Sequence, residues 1–283
     1  MGGGAATGDS MPGNSMPGNS MKVLGRYRPY GWLGTVGVIL PSANTVMEPE
    51  LASLAPEGVT FHGARTPVRG TPSQESLEEM ARGTEAAALD LASAEVDLIL
   101  YGCTSGSFMT DGARLAARLE ALTGTPVATT SAAVMAALRA LGARKVALAT
   151  PYRRFITDGE VAWLEAEGFG VTSALDLDMG ETEQERRGIN RIPPEVCYRL
   201  GREADRQDAD VLFLSCTAMA SLGVVEALER DCGKPVVTSN LASAWYVLNR
   251  LGVSSGTQAP YRLMSALGPH TRPAEGGTAG IGG

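Results

Sequence analysis

The chain has few aromatic residues, with 3 Trp, 7 Tyr and 5 Phe among 283, and it holds only 4 Cys and 2 His. The cysteines stand at 103, 197, 216 and 232 without CxxC spacing, and His62 and His270 lie far from them, so no zinc set is formed. A GxGxxG loop, a metal cluster and a pyridoxal-type lysine context are also missing, so no cofactor is expected. Positive charge is in deficit: 24 Lys and Arg face 31 Asp and Glu for a net charge of −7, and the basic residues are dispersed. That leaves no electrostatic footprint for nucleic acid. No apolar run approaches the roughly 20 residues of a membrane span. The N-terminus has neither a basic n-region nor an apolar h-region. A cytoplasmic protein with reduced thiols and no membrane partner is the expectation.

What is present is a 44% hydrophobic chain rich in Ala, Leu, Gly and Val. That composition suits a soluble protein of helices and parallel strands. Residues 1–30 contain MPGNS twice in a Gly/Ser/Asn/Pro-rich stretch, and 262–283 are again Gly-, Thr- and Pro-rich, so both ends read as flexible tails around a body. Within the body, short β-branched runs alternate with segments of helical period. The runs are Val36–Leu40, Val59–His62, Val96–Tyr101, Val127–Thr130, Val146–Thr150, Val211–Ser215 and Val236–Ser239. Continuous apolar strands between amphipathic helices imply parallel sheets covered on both faces. One helix start is marked by Thr71 as N-cap, Pro72 in the first turn and Gln74 as capping partner.

The chain also resembles itself. TVGVILPS at 35–42 matches RKVALATP at 144–151, and GTPVATTSAAVMAALRALG at 124–142 matches GKPVVTSNLASAWYVLNRLG at 233–252. Between those anchors VDLILYGCTSGS at 96–107 matches ADVLFLSCTAMAS at 209–221, which lays Cys103 on Cys216. A duplication of this kind predicts an α/β fold of two pseudo-symmetric Rossmann-like lobes, 31–143 and 144–261, with the ligand in the cleft between them.

Each of these two cysteines ends an apolar strand and precedes a Thr and small residues. Its sulfur is therefore expected at the carboxyl edge of the sheet beside a helix N-terminus, where anions are stabilised and a thiol pKa is lowered. A lone cysteine is usually a small buried hydrophobe, the reading given to Cys197 and Cys232. Two thiols at equivalent places of a duplicated chain instead form a functional pair. Such a pair can exchange protons on opposite faces of one carbon, or one can add covalently while the other protonates. Both routes need an acidic or electrophilic carbon beside a carboxylate, so the expected partner is a small carboxylate substrate.

The segments PSANT at 41–45, YGCTSGS at 101–107, ATPY at 149–152, GINRI at 188–192 and SCTAMAS at 215–221 resemble the aspartate/glutamate racemase superfamily. Within it they are most similar to the branch of maleate cis-trans isomerases and arylmalonate decarboxylases. The resemblance spans the body and implies Cys103 as nucleophile and Cys216 as proton donor, with Asn44, Tyr152 and Asn190 holding substrate. It implies cofactor-independent isomerisation of a small dicarboxylate, maleate to fumarate being the leading expectation. A homo-oligomer is expected as well. Two-base racemisation of an amino acid, hydantoin or related acid is the alternative, although Thr104 stands where the racemases carry Asn. A decarboxylase with one catalytic thiol, or a carboxylate sensor without turnover, ranks below both. On local grounds Asn44 serves equally as a helix cap, Tyr152 as a loop aromatic and Asn190 as a loop residue. Thr104, Ser105, Thr217 and Ala218 are expected to offer backbone N–H groups, Thr130 and Ser131 to line the cleft floor, and Glu48 and Glu50 to be solvated.

Overall fold

The computed structural model describes residues 1, 28–68, 74–253 and 260–266. The helix-start signal at Thr71 and Pro72, and most of both expected tails, lie outside the described residues. Among the described residues eight strands form two four-stranded parallel sheets of the same plan. The first holds β1 (Gly34–Pro41), β2 (Val59–Thr66), β3 (Leu98–Tyr101) and β4 (Val127–Thr129) in the order β2-β1-β3-β4. The second holds β5 (Lys145–Tyr152), β6 (Gly170–Met179), β7 (Val211–Leu214) and β8 (Val236–Thr238) in the order β6-β5-β7-β8. Val36 lies opposite Leu98 in one sheet and Val146 opposite Val211 in the other.

The duplication extends to the polar details that close each lobe. Asp97 accepts from Thr35 N at 2.7 Å, and Asp210 from Lys145 N at 2.8 Å. Glu120 accepts from Val127 N, and Glu229 from Val236 N. Thr129 caps helix α5 (Thr130–Ala140), and Thr238 caps its counterpart α10 (Ser239–Arg250), each through its hydroxyl. Buried strand ends carry N–H groups that must find acceptors, and both lobes answer with the same side chains.

Helices α5 and α10 meet face to face between the sheets, which is why both are apolar over most of their circumference. Val134, Ala137 and Leu138 join Leu241, Ala244 and Leu248 in one core that runs through both lobes. A smaller core of Ile39, Leu91, Ile99, Tyr101 and Leu119 lies on the outer face of the first sheet, under α2 (Gln74–Ser93) and α4 (Gly112–Thr123). No helix among the described residues is long and apolar enough to cross a membrane.

Three expectations are corrected here. Strand β6 is absent from the sequence reading because it is a sheet edge, half-exposed along its length and broken by Thr172, Ser173, Asp176 and Asp178. Thr130 and Ser239 begin helices and do not end strands. The tail expected from 262 starts too early, since Leu263 and Met264 are buried in the core and Arg262 N donates to Glu229.

Candidate active site

Both cysteines sit at the carboxyl edges of central strands, facing each other where the lobes meet. Cys103 follows β3 and caps the five-residue helix α3 (Thr104–Phe108), its sulfur accepting from Gly106 N at 3.3 Å. Cys216 follows β7, and its sulfur accepts from Ala218 N at 3.3 Å and from the Tyr152 hydroxyl. The residue after each thiol reaches into the other lobe. Thr104 Oγ1 donates to Ser239 Oγ at 2.9 Å, and Ser239 Oγ accepts from Cys216 N. Thr217 Oγ1 donates to Gly102 O at 3.2 Å, next to Cys103. The separation of the thiols is thereby set by crossed hydrogen bonds between the lobes.

The two thiols are not alike. Cys103 is half-buried, whereas Cys216 is only 6% exposed and holds φ of +147°, a backbone region that side-chain-bearing residues rarely occupy. Such strain persists only where its surroundings enforce it. Tyr152, at the end of β5, is buried against Cys216 with its hydroxyl kept protonated by burial and by that thiol.

Burial pushes the Cys103 thiol above its ordinary value, outweighing the bonds from Gly106 N–H and from the Ser105 and Tyr101 hydroxyls. It pushes Cys216 to about 12 against the bonds from Tyr152 and Ala218. The expected depression by a helix N-terminus is overturned, since α3 has a single turn and desolvation of a thiolate outweighs it. Ionisation of Cys103 further raises Cys216, so the two thiols do not ionise independently. Iodoacetamide should therefore label Cys103 about tenfold faster for each pH unit from 7 to 9, while the fully buried Cys197 stays unlabelled. Peptide mapping reads this, and a plateau below pH 8 would reveal a preformed thiolate.

Asn44 is buried between the lobes. Its Oδ1 accepts from Val46 N and Met47 N, capping α1 (Met47–Leu54), and its Nδ2 donates to Thr217 Oγ1 at 3.1 Å. Asn190, in a 3₁₀ turn over Ile189–Arg191, accepts from Thr45 N at 3.1 Å and so stands beside the same loop. Thr104, Ser105, Thr217 and Ala218 flank the thiols. Thr130 and Ser131 lie one layer further in. Thr130 is fully buried and donates to Tyr101 O, and Ser131 is bonded to Ser107. An open groove of about 530 Å³ between α1 and β2 holds neither cysteine. Among the described residues no three His, Cys, Asp or Glu side chains gather as a metal set.

A model of the arylmalonate decarboxylase family, Amdase, matches residues 36–264. The chain belongs to this family. It is 31% identical to a maleate isomerase of Nocardia farcinica over 243 residues, covering 81% of this chain and 94% of that one. Its fold superposes on the maleate isomerase Iso of Pseudomonas putida S16 with a TM-score of 0.75 at 29% identity, over 82% of this chain and 98% of that chain. At a TM-score of 0.74 and 29% identity, over 82% of this chain and 98% of that one, it matches a cysteine-to-serine variant of the Nocardia farcinica maleate cis-trans isomerase. That variant carries a covalently bound succinylcysteine intermediate.

Around the thiols of this arylmalonate decarboxylase family member stand several residues that the sequence reading passed over. Ser239 holds Cys216 N and Thr104; as the counterpart of Thr130 it could have been found from the duplication. Glu50, expected in solvent, instead accepts from Leu222 N at 3.0 Å and from Asn240 Nδ2 at 2.6 Å across the lobe boundary, and burial raises its carboxyl. Glu48 is half-buried and paired with Arg65.

Glu160 is fully buried on α6 (Arg154–Ala166); its Oε1 accepts from Ser215 Oγ at 2.5 Å and its Oε2 has no partner. Burial lifts this carboxyl from 4.5 to about 8. Within that window the folded protein keeps a proton that the unfolded chain has lost, so stability is full below about pH 4.5 and falls as pH rises through the window. The slope from this one group reaches at most ~1.4 kcal/mol per pH unit. Glu160→Gln should flatten the decline in Tm between pH 5 and 8, leaving the share contributed by Glu50 and Glu229, whose carboxyls are also raised by burial. Parallel declines in wild type and variant would show that Glu160 is charged throughout.

Proposed function

We propose that this member of the arylmalonate decarboxylase family isomerises maleate to fumarate by thiol chemistry, without a metal or organic cofactor. The observation that carries the reading is the unequal thiol pair: one accessible sulfur with three neutral donors, opposite one buried sulfur that stays protonated. In the cycle the Cys103 thiolate adds to one alkene carbon, forming a C–S bond and moving the electron pair onto the neighbouring carbon and its carboxylate. Cys216 gives its proton to that carbon. Rotation about the resulting single bond follows, the Cys216 thiolate takes the proton back, and the C–S bond breaks to release fumarate and the Cys103 thiolate. Every atom and electron is returned, so the cycle needs no co-reactant.

The substrate carries two negative charges, and the groups around the thiols that receive them are neutral. Asn44 uses one of its two amide N–H bonds on Thr217, which leaves the second for a carboxylate. The Asn190 amide and the N–H groups of Thr104, Ser105 and Thr217 complete the donors assigned to the substrate, while the Tyr152 hydroxyl and the Ala218 N–H stay on the Cys216 sulfur. Neutral donors suit this reaction, because a fixed cation would hold substrate and product dianions equally tightly and slow release.

The test is incubation of the protein with maleate, followed by proton NMR for fumarate, before and after exhaustive dialysis against chelator. Equal fumarate formation in both samples is the expected result. Loss of turnover restored by a divalent metal overturns the thiol-only cycle. Conversion of an amino acid to its enantiomer with solvent exchange, in place of fumarate formation, favours the racemase alternative.

A further inference from the structure

Two carboxyls that the cycle does not use stand at matching places of the duplication. Glu50 lies on the helix after the first strand of its sheet, four residues before the buried Leu54; Glu160 lies on the helix after the first strand of the other sheet, four residues before the buried Leu164. Their targets differ because the strand ends differ. Gly102 N donates to Ile39 O as Ser215 N donates to Ala149 O, both at 2.8 Å, so Gly102 and Ser215 are counterparts. A side chain at Gly102 would meet Met47 Sδ at 2.6 Å, so the first lobe offers Glu50 no strand hydroxyl. Glu50 reaches across to the second lobe instead, where Asn240 donates both to it and to Thr217 O. Glu160 holds Ser215 directly. The two carboxyls therefore grip the residues on either side of Cys216, whose φ of +147° needs a restraint from its surroundings.

We propose that Glu50 and Glu160 are positioning residues for Cys216, fixing the strained Ser215–Cys216–Thr217 segment from its two ends so that the thiol and the Tyr152 hydroxyl stay aimed at each other. This rests on the reading of Cys216 as the proton donor. Burial keeps Glu160 a neutral acid up to about 8, so glutamine reproduces its hydrogen bonding while leucine removes it. A carboxyl buried with one oxygen unpartnered disfavours folding, which makes a purely architectural purpose for Glu160 a poor account.

The experiment uses the full chain with Glu160→Leu, Glu160→Gln, Glu50→Leu, Glu50→Gln and Ser215→Ala, and reads kcat and KM for maleate with the alkylation rates of Cys103 and Cys216. Each leucine variant and Ser215→Ala should lower kcat about ten- to hundredfold with KM changed less than about threefold, because a displaced proton donor weakens the chemical step and not binding. Glu160→Gln should recover most of the rate, whereas Glu50→Gln, whose amide can accept from only one of Leu222 N and Asn240 Nδ2, should recover it in part. Cys216 alkylation should rise about tenfold in the leucine variants as the segment relaxes, with Cys103 unchanged. Wild-type kcat in Ser215→Ala and Glu160→Leu, or Glu160→Gln as slow as Glu160→Leu, overturns the proposal. Should the leucine variants fail to fold, Ser215→Ala and Glu160→Gln decide alone. The alkylation readout does not depend on maleate turnover. A wild type inactive on maleate whose Cys216 is still released in the variants therefore defeats the functional reading and leaves the positioning role standing.

Discussion

Cys103→Ser should lose all measurable maleate turnover and carry no substrate-sized mass, whereas Cys216→Ser should lose turnover with the adduct in place. The asymmetry follows from exposure and hydrogen bonding. Cys103 is the sulfur that a ligand can reach, and Gly106 N–H, Ser105 and Tyr101 hold it for attack. Cys216 is buried, protonated and bonded to Tyr152, so in the proposed cycle it supplies a proton and accepts it back. A serine hydroxyl is far less acidic than a thiol and a far weaker nucleophile. Each substitution should therefore raise the barrier by at least ~3 kcal/mol, or about a hundredfold in rate. Intact-protein mass spectrometry with maleate present separates the roles, because only the variant that still attacks but cannot complete the cycle accumulates a covalent species. Adduct in the Cys103 variant, or near-normal turnover in either, would falsify the assignment of roles.

The second large effect comes from a residue with no side chain. A Cβ on Gly106 would lie 2.9 Å from Cys103 Sγ and 2.7 Å from the Tyr101 hydroxyl, while the Gly106 N–H is itself a donor to that sulfur. Tyr101 is fully buried and cannot retreat, so in Gly106→Ala the sulfur must move. Displacement by about an ångström at a reacting atom costs on the order of a hundredfold in rate. Gly159→Ala is the control: it sits within α6 with nothing within 4 Å of the added methyl. It should gain roughly 0.5–1 kcal/mol of stability from helix propensity and keep full activity. Comparable activity in the two alanine variants would mean that the Cys103 sulfur position is not critical.

Much of the frame was legible because buried parallel strands advertise themselves as β-branched runs, and a duplicated chain shows each signal twice. The placement of Cys103 and Cys216 at matching strand ends was legible for the same reason, since the repeat shows each strand end twice. Strand β6 was illegible because an edge strand is half in water and carries the Thr, Ser and Asp of a loop. Glu50 and Glu160 were illegible on different grounds. Nothing in a helical glutamate's local sequence tells whether its face meets solvent or the opposite lobe, and Glu50 meets Asn240 from 190 positions away. The thiol acidity was misjudged because a strand-to-helix junction predicts a helix terminus but not its length, and one turn of α3 does not offset burial.

The continuous core through α5 and α10 has a bearing on how this chain comes to exist as a working molecule. Neither half owns a finished interior: a chain ending after α5 would present Val134, Ala137 and Leu138 to water, and the other half would do the same with Leu241, Ala244 and Leu248. Completing that interior needs both halves, so the sulfurs come together only when both have docked. Synthesis delivers the first half well before the second, so the nascent chain carries an unfinished apolar face that only its own later half can cover. In that sense the proposed catalytic pair is assembled by the last step of folding, and a half-made chain holds one thiol with nothing opposite it.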